Sequence, residues 1–148
     1  FHAEDIAREP LLGDTAVGTF VTPVRTGGEV GGRPIGLLAI HFDWEPQSRT
    51  IVEGVRLTEE ERATSRVLIV DRDNRVIASS DGAGLLTERL SAFGGADAGW
   101  QVRDGRIVAQ HVTPGYETYR GLGWRGVIEQ RLSAERPSAT VTPLKGRR

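Results

Sequence analysis

Three pairs of β-forming segments, each joined by turn residues, limit this chain more than any other feature of its sequence. The first pair is Val17–Arg25 and Pro34–Phe42, joined through the glycine-rich Gly27–Gly32, where positive φ costs nothing sterically. The second is tighter: Val67–Asp71 and Arg75–Ser79 flank Arg72, Asp73 and Asn74, and Asp and Asn tolerate left-handed backbone. The third joins Gly105–Val112 to Leu122–Gln130, with Pro114 and Gly115 opening the turn. Short connections of this kind pair strands antiparallel. Within that framework Pro34–Phe42 reads as a nearly continuous apolar strand, expected at the sheet centre and covered on both faces.

Helices are expected between the hairpins. Pro46–Arg56 carries Ile51, Val52 and Val55 on one face and has Pro46 in its first turn. Thr58 followed by Glu61 fits a capping box for a short helix ending near Thr64. Gly84–Phe93 is expected to be a further helix, with Leu85, Leu86 and Leu90 turned inward. The fold class is therefore α+β: an antiparallel sheet of about five or six strands flanked by short helices. Residues 1–132 form the domain, and 133–148 read as a flexible linker, since Pro137, Ser138, Thr140, Thr142 and Pro143 break any periodicity. Its basic end, Lys145 to Arg148, leaves a nucleic-acid arm as a weaker alternative.

Composition narrows the function. At 148 residues the chain fits one domain. With 19 basic against 20 acidic residues it has no general attraction for nucleic acid or anionic lipid, and no nucleic-acid partner is expected. It has no cysteine, which removes disulfides, thiolate metal sites and cysteine nucleophiles together. The longest apolar run, Ile35–Ile40, is far short of the ~18 residues of a spanning helix. The chain starts at Phe1 and has no methionine, so it is expected to be part of a longer protein whose membrane anchor, if any, lies elsewhere.

Gly121-Leu-Gly-Trp-Arg-Gly126 spells a dinucleotide-loop pattern, but β-forming residues follow it where a helix is required, and no acidic residue stands about 20 positions on. Asp71–Arg75 resembles the start of a calcium loop, yet Arg75 occupies a ligand position, and a hairpin turn accounts for the segment. No serine-nucleophile or zinc-helix motif is present. His41 and Asp43 alternate on one strand, which is all that an enzyme reading rests on; no catalysis, cofactor or metal is expected. Amphipathic aromatics beside a guanidinium suit a pocket for an amino acid or small carboxylate. The candidate ligand residues are His111, Tyr116, Tyr119 and Arg120 around the third hairpin, Trp44 and Asp81 on nearby loops, and Arg66 as a cation at a strand start. Trp124 is expected in the core.

The order of these segments resembles the Cache domains, the PAS-like extracytoplasmic sensors of bacteria. Pro23-Val-Arg and Gly36-Leu-Leu-Ala-Ile-His-Phe-Asp43 are similar to their first hairpin, Leu68–Ser80 to the central one, and Gly123-Trp-Arg-Gly-Val-Ile-Glu-Gln130 to the closing strand, covering residues 15–131. The resemblance implies a PAS-like sheet and a non-catalytic input domain of a methyl-accepting chemotaxis receptor or sensor kinase. Such a domain binds a small metabolite, forms a homodimer, passes a conformational change to an output signalling domain, and lies in the periplasm. The alternatives are a ligand-free PAS-like dimerisation or relay module and a cytoplasmic location.

Overall fold

The computed structural model describes residues 1–132 except 95, 116 and 118. The linker expected at 133–148 and Tyr116 lie outside the described residues. Among the described residues eight strands form two antiparallel sheets. β1 (His2–Glu9), β2 (Thr15–Arg25) and β3 (Pro34–Asp43) make a three-stranded sheet in that order. Two helices follow, α1 (Trp44–Glu53) and α2 (Glu59–Thr64). β4 (Ser65–Val70), β5 (Val76–Ser79), β6 (Ala98–Arg103), β7 (Arg106–Val112) and β8 (Arg125–Arg131) make a five-stranded sheet in the order β5-β4-β8-β7-β6. The α+β class and the three hairpins are as the sequence indicated. The expected sheet of five or six strands corresponds to the second sheet, and the first hairpin stands apart from it with β1.

The central hairpin shows how the sequence sets its turn. Asp71 is buried, and one carboxylate oxygen accepts the backbone N–H groups of Asp73 and Arg75, each at 2.9 Å. Its other oxygen takes Nε of Arg75 at 2.8 Å, and Asn74 adopts φ 60°. Those contacts assign the segment to a turn, with the aspartate acting on backbone and not on a metal. Thr58 and Glu61 form the full capping box of α2, each side chain bonding the other's backbone N–H.

Three expectations are corrected. β3 is an edge strand, exposed throughout: Leu37 is 74% and Ile40 56% exposed. Its apolar run reflects an uncovered surface. α1 starts at Trp44 and turns Trp44, Ser48 and Val52 inward, leaving Ile51 outside. Gly84–Phe93 is not helical. Leu86 has φ 60°, and the segment bonds to the neighbouring hairpin through Leu86 N–H to Val76 O, Val76 N–H to Glu88 O and Leu90 N–H to Asn74 O. Leu85, Leu86 and Leu90 still pack against the core, as expected. Two strands, β1 and β6, were not anticipated from the residues alone.

Two apolar clusters hold the five-stranded sheet. One face carries Leu68, Val70, Val76, Val108 and Val127 under Phe93. The other joins Val67, Ile69 and Ile77 to Val52 and Trp44 of α1 and to Ile6 and Ala16 of the first sheet. The second cluster is thus shared by both sheets.

Candidate functional site

A cavity of about 520 Å³ lies between the three-stranded sheet and the β7–β8 connection. Register explains its floor. Gly18 pairs with Phe42 and Phe20 with Ile40, so Phe20 and Phe42 point to one face together. A bulge between Glu4 and Ala7 breaks the β1–β2 ladder around Gly18. A Cβ on Gly18 would stand 3.3 Å from Cδ1 of Ile6, so glycine lets that side chain lie across the strand. Trp44 and Trp124 form the inner wall, with ring centroids 5.1 Å apart and planes at 61°. Leu122, Tyr119 and Thr113 close the outer side.

Both indoles are anchored by hydrogen bonds. Nε1 of Trp44 donates to the carbonyl of Ile77, and Nε1 of Trp124 donates to Oδ1 of Asp5 at 2.7 Å. Their rings therefore present fixed apolar faces to the cavity. Trp124 packs on the core from a half-buried position, so it serves as core and as wall at once.

A second grouping is ionic. Arg66 on β4 bonds both oxygens of Glu88 at 2.9 and 2.8 Å, contacts Asp81 at 2.9 Å and lies 4.0 Å from Glu129. Glu88 is held below the usual carboxylate range by its bonds to that guanidinium, against a smaller effect of burial. For Asp81 burial pushes upward, but Ser79, the Ala83 N–H and Arg66 outweigh it, and the group ends below its ordinary value. Arg66 is raised, chiefly by Glu88. A cation was expected at Arg66 to meet a ligand carboxylate; it meets carboxylates of its own chain.

The candidate residues named from sequence therefore separate. Trp44 and Tyr119 meet at the apolar cavity. Arg66 and Asp81 meet in the ion cluster. His111 is exposed on β7, its ring bonded to the carbonyl of Val112, and Arg120 is exposed in the loop. His41 and Asp43 lie on the exposed edge strand, and His41 Nδ1 is engaged by Thr19 Oγ1 at 3.0 Å. After Gly121–Gly126 the chain continues as β8, with no helix to receive a phosphate. Among the described residues no His, Asp and Glu group is arranged to hold a metal ion. Phe20, Phe42, Ile6 and Asp5 were missed. The phenylalanines were readable from the register of the first hairpin; the residues of β1 were not, because their place depends on the bulge.

No protein-family model matches the sequence, and no curated protein sequence does. Solved structures do match. The ligand-binding domain of the amino acid chemoreceptor PctB of Pseudomonas aeruginosa PAO1, in complex with L-arginine, aligns over 87% of this chain and 49% of its own, with TM-score 0.53 and 15% identity. That of the chemoreceptor CtaA of Pseudomonas fluorescens, in complex with L-isoleucine, aligns over 87% and 51%, with TM-score 0.53 and 10% identity. The fold is that of these two ligand-binding domains. This chain spans about half the length of those sensor structures.

The cavity sits where the two sheets meet, and three polar ties hold its surroundings, two of them running from sheet to sheet and one from α1 to β5. Trp124 reaches Asp5 of β1, Arg75 Nη2 reaches the carbonyl of Ile6 at 2.9 Å, and Trp44 reaches Ile77 of β5. A molecule in the cavity touches the walls that these bonds position. Filling or emptying it can thus bias the relation between the sheets, provided the occupant binds one arrangement better than the other. Among the described residues no helix is long and apolar enough to cross a membrane.

Proposed function

We propose that this chain is the non-catalytic sensory input region of a bacterial signal-transduction protein, of the chemotaxis-receptor or sensor-kinase type. It binds a small metabolite and passes a conformational change to an output domain. The observation that carries this is the aromatic-walled cavity at the meeting of the two sheets, in a chain with the sensor fold. Its lining of Phe20, Phe42, Trp44 and Trp124 suits an apolar side chain. An amino acid with a branched or aromatic side chain therefore fits better than the small carboxylate that the sequence also allowed. The two chemoreceptor domains described above were both solved with amino acids. The extracytoplasmic side is the corresponding location. A thermal-unfolding screen against the twenty amino acids, small carboxylates, amines and purines tests this reading. A ligand at about 100 times its Kd adds about 2.7 kcal/mol, several degrees for a chain of this size. A flat screen on folded protein contradicts it.

The uncovered β3 favours a second reading. Ile35, Leu37, Leu38, Ile40 and Phe42 are all at least 41% exposed on a strand with one unpaired edge, which marks a protein contact in natural sheets. A relay module that acts through a homodimer uses such a surface. Light scattering after size exclusion separates the two: a monomer at high concentration that still responds to a ligand removes the relay reading.

A further inference from the structure

Three arginines stand side by side across the five-stranded sheet. Arg103 of β6 pairs directly with Arg106 of β7, and Arg106 pairs with Arg131 of β8. Direct partners put their side chains on the same face, and like charges so placed repel. Among the described residues none of the three forms an ion pair. The next row on this face is Val108, Glu129 and Arg66. Arg66 is already occupied by Glu88 and Asp81, with Glu129 near by, so these acids do not offset the arginine row.

A cleft of about 310 Å³ opens beside the row, with Leu90, Phe93 and Val108 as its apolar floor. Arg89 also lines it and donates to the carbonyl of Asp73, an uncharged partner. Beyond the acids gathered at Arg66, Asp104 is the one carboxylate in the lining. The local charge is positive in a chain whose net charge is −1.

We propose that this cleft binds a compact dianion, one with carboxylate or phosphate oxygens, through Arg103 and Arg106, which line it. Neighbouring strands lie about 4.8 Å apart, so the directly paired Arg103 and Arg106 are both within reach of one group of that size, Arg103 having only the carbonyl of Ala92 at 3.4 Å as its partner among the described residues. The site is on the far sheet face from α1 and is independent of whether the aromatic cavity takes a ligand.

The test is thermal unfolding of the full chain with inorganic phosphate, with succinate, and with sodium chloride at matched ionic strength. At least one dianion should raise the midpoint saturably beyond the chloride control, and which one does so identifies the oxygen chemistry. Arg106→Gln should leave the unliganded midpoint unchanged or higher, because it relieves repulsion, while weakening the dianion response about tenfold or more. Arg103→Gln, which also lines the cleft, gives the same readout should Arg106→Gln not fold. A response no larger than that of chloride overturns the proposal. So does one undiminished in the variant that folds.

Discussion

At the scale of single residues, two polar contacts carry more than their size suggests. Trp124 donates to Asp5 across the gap between the sheets, both groups being half-buried. Trp124→Phe keeps most of the ring and removes the donor, so chemical denaturation should show a loss of about 1–2 kcal/mol. Arg66 is the other. Arg66→Met leaves Asp81, Glu88 and Glu129 facing one another without their cation and should cost about 2 kcal/mol. The same cluster sets a pH dependence. Glu88 and Asp81 both have folded values below their ordinary ones. Their contribution is therefore complete above the ordinary carboxylate range and is lost as pH falls through the depressed folded values. The thermal midpoint should drop as the solution is acidified through that range, and Glu88→Gln should flatten part of the slope.

At the scale of elements, legibility followed local chemistry. The central hairpin was readable because Asp71 and Asn74 determine their own turn through backbone contacts. The start of α2 was readable because Thr58 and Glu61 complete each other. Thr58→Ala should cost about 1 kcal/mol by denaturation, with the loss confined to α2 in hydrogen exchange. β1 was not readable: of its eight residues Ile6 alone is buried, and its extended form comes from pairing with β2. β6 is likewise an edge strand with Trp100 71% exposed. Gly84–Phe93 misled through its leucine spacing. Its leucines do reach the core, but its backbone bonds run to β5 and its neighbouring turn, and positive φ at Gly84 and Leu86 breaks the helix. β3 misled in the opposite sense, since an apolar run shows affinity for cover and not where the cover comes from.

At the scale of the whole molecule, the fold class was legible, and the candidate site residues divide between two places in the structure. Trp44 and Tyr119, both named from sequence, line one cavity. Arg66 and Asp81 were placed together, but in an ion cluster of the chain's own making. The difference is one of partners: sequence shows that a guanidinium wants a carboxylate, and only the fold shows whose carboxylate it finds. The central claim is that the aromatic cavity takes the ligand that the sensor reads. Its most direct test is calorimetric titration of the wild-type chain and of Phe42→Ala with leucine, isoleucine and phenylalanine. Phe42 stands at the rim of the cavity, 41% exposed, so its loss should spare the fold. Removing its buried contact should weaken binding about tenfold, in line with ~1.5 kcal/mol for part of an aromatic side chain. Saturable binding to the wild type that weakens in Phe42→Ala supports the account; no heat of binding with any of them, or equal affinity in both proteins, contradicts it.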